Sequence, residues 1–145
     1  MQQLIECVPN FSEGIDLSII TQITNEIEKI DGVRLLNVDP GKATNRTVVT
    51  FVGTPQAVID AAFVAIKKAG ELIDMSKHKG EHPRMGATDV CPLIPIANIS
   101  MEETAKWAVK LRMVSMLFSK ESTSCERARL TTVSTNVVQS KASKR

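Results

Sequence analysis

The 145-residue chain contains no tyrosine, one tryptophan and four phenylalanines. So few rings do not make the stacking platform on which single-stranded nucleic acid is held. No apolar run approaches the roughly 20 residues that a membrane helix needs. The start MQQLIECVPNF lacks a basic stretch before an apolar core, so neither a membrane span nor a signal peptide is expected. The three cysteines, Cys7, Cys91 and Cys125, are few, odd in number and far apart. They point to reduced thiols in a cytosolic compartment rather than to a disulfide frame or a zinc site. A general excess of positive charge is missing too. Of the 18 Lys/Arg and 16 Asp/Glu, seven bases and two acids fall in residues 112–145, which leaves fourteen acids against eleven bases in residues 1–111. The formal charge of +2 therefore belongs to the end of the chain and gives no support to a nucleic-acid-binding domain.

What is present suits one globular domain: 43% hydrophobic residues and 23% charged. QLIECV (3–8) reads as a buried strand stopped by Pro9. Asp16 caps a helix over 17–30, where Leu17, Ile20, Ile23, Ile27 and Ile30 recur at helical spacing. VRLLNVD and RTVVTFVG read as two strands, closed by Pro40-Gly41 and by Gly53. Thr54-Pro55 opens a long helix whose apolar face is Val58, Ala61, Ala62, Ala65, Ala69 and Leu72. TDVCPLIPI is a strand carrying two prolines, hence an edge strand or one that leaves the sheet early. Ser100 and Glu103 form a capping box at the start of a third helix. The order predicts an α+β fold, a ferredoxin-like β-α-β-β-α-β sandwich. Two helices would pack on one face of a four-stranded antiparallel sheet, followed by the third helix. From Arg112 the Ser/Thr-rich, basic composition predicts a poorly ordered tail over 112–145.

The chemistry is concentrated in MSKHKGEHPRMGATDVCP (75–92). His78 to His82 matches H-x-x-E-H, a zinc-peptidase pattern, but Gly80 lies between the histidines and Pro83 follows the second. The motif needs both rings on one helical face, so no metal is expected. Two readings of the loop remain open on spacing alone. It is a solvated polar turn, or it presents one working histidine flanked by Lys77, Lys79, Glu81 and Arg84, with backbone turns at Gly80 and Gly86. A general base among cations suits a carboxylate-bearing substrate. Asp39 either starts a turn or orients a histidine. Asn45-Arg46 is either a turn with a surface charge or a fork aimed at a carboxylate. Asn10 fits an Asx turn, and spacing does not establish that Asn10, Asp39 and the loop converge.

Taken together, ECVPNFSEG, NRTVVTFVG and LIDMSKHKGEHPRMGATDVCPLIP resemble the N-terminal subdomain of glutamate formimidoyltransferase, the transferase half of the formimidoyltransferase-cyclodeaminase family, over residues 3–111. The resemblance implies a ferredoxin-like subdomain. It also implies transfer of a formimino group from N-formiminoglutamate to tetrahydrofolate, as co-substrate, in histidine degradation. The family's catalytic histidine falls on His82, as general base and acid, with Asp39 as its supporting carboxylate. Arg46, Lys79 and Arg84 become the partners of substrate or folate carboxylates; Asn10, Asn45, Glu81 and Gly86 complete the implied substrate-binding set.

Beyond Leu111 the resemblance stops. The strand, loop and second subdomain that close the family's cleft have no counterpart in RMVSMLFSKESTSCER. A truncated chain with a non-family tail is expected, with little or no transferase activity alone. The competing expectation is a non-catalytic module that binds folate, self-associates or pairs with a separate second subdomain through an exposed apolar patch.

Overall fold

The computed structural model describes residues 1–81 and 86–121. Its elements are β1 (Leu4–Cys7), β2 (Asn10–Phe11), α1 (Leu17–Glu28), β3 (Val33–Gly41), β4 (Arg46–Gly53), α2 (Pro55–Leu72), β5 (Thr88–Val90), β6 (Leu93–Ala97) and α3 (Met101–Glu121). The composition predicts a poorly ordered tail from Arg112, but α3 runs on to Glu121; from residue 122 on the expected tail lies outside the described residues, as does Cys125.

The sheet is antiparallel and has six strands, not the expected four. Proline is the reason. β1 pairs with β4 from Ile5 opposite Gly53 to Cys7 opposite Phe51, and β2 continues from Asn10 opposite Val48 to Phe11 opposite Thr47. The register keeps step across Pro9, whose carbonyl still accepts from the Val49 N–H at 3.0 Å. Pro9 therefore does not stop the strand; it removes one donor and divides a single rail into two segments. Cys91-Pro92 divides the neighbouring rail likewise: β5 pairs with β2, and β6 with β1. The two breaks face each other through Val8 N–H donating to the Pro92 carbonyl at 3.1 Å. β3 lies outside β4 and runs through Pro40 to Gly41, two residues past the predicted end, because an edge strand tolerates a missing donor.

Alternation along the strands sets the two faces. Ile5, Cys7, Pro9 and Phe11, and Thr47, Val49 and Phe51, point into the core, while Glu6, Val8 and Asn10, and Arg46, Val48 and Thr50, point to the opposite face, which among the described residues is helix-free. α2 lies on β1 and β4, α1 on α2 and β3, and α3 on α2 and β6. Five alanines of α2, at positions 57, 61, 62, 65 and 69, are buried, so this helix approaches its neighbours closely on several sides. Cys7 and Cys91 bring their Sγ atoms to 3.4 Å in the core, and both are free thiols. Burial, and then the neighbouring Cys91 thiol, push the Cys7 thiol well above its ordinary pKa.

The caps follow the sequence with one difference. The Asp16 carboxylate accepts from the Ser18 N–H at 3.0 Å and from the Ser18 hydroxyl at 2.6 Å, which hold it below its ordinary pKa. Ser100 and Glu103 form the reciprocal box, with both bonds at 3.1 Å. Thr54 occupies the cap position of α2 but its side chain makes no capping bond; Pro55 begins the helix and removes one of the amides a cap would serve.

Phe51 is fully buried at the middle of β4. Phe51→Ala should cost about 3–5 kcal/mol in urea unfolding, and Thr50→Ala, on the opposite face of the same strand, clearly less.

Candidate functional site

Three connections meet at the end of the sheet where β1 and β2 lead into α1 and β3 turns into β4. In the turn, the Asn45 N–H donates to the Lys42 carbonyl at 3.2 Å, and Asn45 adopts φ +47°. Asparagine accepts this left-handed conformation more readily than most residues. Only 8% of Asn45 remains exposed. Its Oδ1 accepts from the Gly14 N–H at 2.9 Å, and its Nδ2 donates to the Lys79 carbonyl at 2.9 Å. Its own carbonyl lies 3.0 Å from His78 Nε2. A carbonyl only accepts, so that nitrogen carries the proton.

Close backbone approaches accompany these bonds. A Cβ on Gly14 would lie 2.5 Å from the Gly41 carbonyl oxygen and 2.6 Å from the Arg46 nitrogen; one on Gly80 would lie 2.5 Å from the Thr44 carbonyl oxygen. Only glycine fits at either place. The Thr47 hydroxyl donates to the Glu13 carbonyl, and the Glu81 N–H reaches the Ala43 carbonyl at 3.4 Å. Ser12, fully buried, donates from its amide to the Ala87 carbonyl at 2.9 Å and from its hydroxyl to the Gly86 carbonyl at 2.7 Å.

The sequence-predicted residues separate into groups. His82 and Arg84 lie outside the described residues. Asn10, Asp39 and Arg46 share the helix-free face. Asp39 and Asn10 flank Val48 from either side, and Arg46 lies two residues before it on the same strand. Asp39 is exposed, while Asn10 and Arg46 are half-buried. Asn10 donates from Nδ2 to the Val8 carbonyl at 3.1 Å. The expected Asn45-Arg46 fork reduces to Arg46, since both ends of the Asn45 amide are spent on backbone. Lys79 and Glu81 are exposed. Each ties the loop through its main chain, as Gly86 does through its carbonyl.

Sequence reasoning missed Ser12, Glu13, Thr47 and, as a residue with its own role, His78. The last had a signal, the first histidine of the H-x-x-E-H run, set aside with the zinc reading. Among the described residues no group of three or more His, Cys, Asp or Glu is placed to hold a metal ion. On the helix side, Ser12, Glu13, Asn45, Asp74, Lys77 and His78 ring a polar cleft of about 210 Å³ floored by Ile19, Leu72 and Ile73. The Asn45 braces thus stand between that cleft and the face bearing Asp39 and Arg46.

Asn45→Ala should destabilise the chain by about 3–4 kcal/mol, since it adds left-handed strain to the loss of two bonds with backbone partners. Asn45→Gly loses the same bonds without the strain and should cost about 1–2 kcal/mol less; urea unfolding of the two variants checks the order.

The profile of the formiminotransferase domain, N-terminal subdomain, matches residues 4–137. Formimidoyltransferase-cyclodeaminase from Gallus gallus is 60% identical over 103 residues, covering 71% of this chain and 19% of that protein. Glutamate formimidoyltransferase from Streptococcus pyogenes serotype M1 is 48% identical over 103 residues, and that from Thermoplasma acidophilum 47% over 105, covering 71% and 72% of this chain and 34% and 35% of theirs. The chain therefore spans between about a fifth and a third of the length of these curated relatives. On this evidence it belongs to the formiminotransferase family, as the N-terminal subdomain of that domain.

Proposed function

We propose that the chain is one half of a formimidoyltransferase site, which moves a formimino group from N-formiminoglutamate to tetrahydrofolate in histidine degradation. The observation that carries this reading is the 48% identity to a Streptococcus pyogenes protein named glutamate formimidoyltransferase, of which this chain covers only 34%. The geometry supports it. The residues on either side of the H-P-R-M run are braced independently, Glu81 to the β3–β4 turn and Gly86 to Ser12, beside a face that carries a carboxylate and a guanidinium. The rail order, β5 and β6, then β1 and β2, then β4, then β3, also supports the ferredoxin-like sandwich once each broken rail is counted as one strand.

In the proposed reaction the folate amine attacks the amidine carbon and loses a proton. The bond from that carbon to the glutamate nitrogen then breaks, and the departing nitrogen gains a proton. One imidazole near neutral pKa serves both transfers. His82 is assigned that role, with Asp39 as its supporting carboxylate. Arg46, Lys79 and Arg84 are assigned to the carboxylates of the two substrates, and Asn10, Glu81 and Gly86 to the walls. The compartment proposed is the cytosol. Rate demands that both reactants be held in register, so a second subdomain is the partner the reading requires.

A second reading, a binding or subunit-interaction module without turnover, is favoured by α3. Val109, Met113 and Leu117 are about half exposed or more and recur on one side of that helix as an exposed apolar stripe.

A turnover assay with N-formiminoglutamate and tetrahydrofolate, with and without the remaining two thirds of the Streptococcus pyogenes protein, separates these readings. Turnover should be slight for the chain alone, rise on mixing and vanish in His82→Ala. Saturable tetrahydrofolate binding with no turnover in the mixture would favour the module. Turnover unaffected by His82→Ala would remove the assigned proton carrier.

A further inference from the structure

His78 sits at the junction of the turn and the loop, yet the proposed proton transfers make no use of it. Its half-buried ring donates from Nε2–H to the Asn45 carbonyl at 3.0 Å, and the Asn45 carboxamide donates back to the Lys79 carbonyl at 2.9 Å. The two bonds are reciprocal, each running from the side chain of one segment to the main chain of the other. Two residues on, the Glu81 N–H reaches the Ala43 carbonyl, and Gly80 lies so close to Thr44 that no Cβ fits. Four contacts in succession thus lay Lys79–Glu81 along the β3–β4 turn.

We infer that His78 is a positioning residue: with Asn45 it clamps the Lys79–Glu81 arm onto the turn that begins the Arg46 strand, so that the Lys79 ammonium and the Arg46 guanidinium are presented from one fixed base to a carboxylate-bearing substrate. The carboxylate part of this inference rests on the transferase reading; the clamp itself does not. The Nε2–H bond fixes the tautomer and the orientation of the ring, which is what a positioning role requires. The role also accounts for the choice of residue. A donor is needed at the reach of Nε2, and the flat carboxamide of glutamine offers one at about that reach.

The chain has only two histidines, so ring signals are assigned by removing one at a time. Ring ¹H–¹⁵N spectra of the full chain should contain one imidazole fixed as the Nε2–H tautomer. That signal should persist in His82→Ala and disappear in His78→Leu. Amide exchange at Glu81, whose N–H reaches the Ala43 carbonyl, should quicken about tenfold or more in His78→Leu while Ile5 and Phe51 stay protected, since only the arm is released. His78→Gln should restore most of the protection. In the turnover mixture described above, His78→Leu should raise KM for N-formiminoglutamate about tenfold and leave kcat within about twofold, as expected when substrate binding is lost uniformly, and His78→Gln should recover KM.

Unchanged exchange at Glu81 in His78→Leu would overturn the clamp. A uniform rise that includes Phe51 would also overturn it, by reducing His78 to a contributor to global stability. Arm-specific release with KM unmoved would overturn the carboxylate role. If the mixture does not turn over at all, the transferase reading fails, and exchange with Gln rescue still decides the clamp.

Discussion

The carboxamide of Asn45 is the constraint on which the site's architecture turns. Its oxygen holds the loop that leads into the first helix and its nitrogen holds the loop that follows the second, while its own backbone bends through a conformation few side chains accept. Neither loop carries a helix or ladder bond at that point. Their approach to the sheet is set by side-chain bonds that a short, planar, two-sided amide can make and that an aspartate, lacking the donor, cannot. Glycines at 14 and 80 let the main chains come close enough for the amide to reach both.

The sheet supplies the frame those braces act on. Its four rails would be ordinary antiparallel strands but for Pro9 and Pro92, which face each other in the middle of the pairing. Pro9 removes a donor without disturbing register along β4, and Pro92 does so with Cys7 still opposite Leu93 and Asn10 opposite Val90, so the core alternation from Ile5 to Phe11 continues unbroken. The helix-free side keeps its own alternation, and for that reason Asn10, Asp39 and Arg46, on three different segments, emerge on one surface.

Much of this was legible in the residues. The helices declared themselves through Ile20, Ile23 and Ile27 and through the alanine face of α2, because one-sided burial leaves a 3.6-residue period. The capping box at Ser100 and Glu103 is local chemistry and survived folding intact. The prolines were visible but their effect was not. Proline forbids a donor, and whether that ends a strand depends on whether the neighbour still offers register, which is a property of β4 rather than of the QLIECV stretch. The site was less legible for a related reason. Asn45 had the residue type of a substrate fork, but its backbone angle and the long-range arrival of Gly14 and Lys79 committed the amide elsewhere. Ser12 and His78 carry bonds to partners 74 and 33 residues away, and no local pattern encodes those. What the resemblance to a known family added was the assignment of the chemistry; spacing alone left the loop between a polar turn and a working histidine.

The touching thiols of Cys7 and Cys91 occupy the place where the two broken rails face each other. Where the prolines have taken donors away, sulfur fills the gap, and this fixes a size limit on both positions. A pair of serines would leave room to spare and two hydroxyls shut away from water. A pair of valines would be too bulky, and would wedge the rails apart beside the Val8–Pro92 bond. The seam between the two rails is thus closed by the small, polarizable side chain that suits a space both narrow and dry.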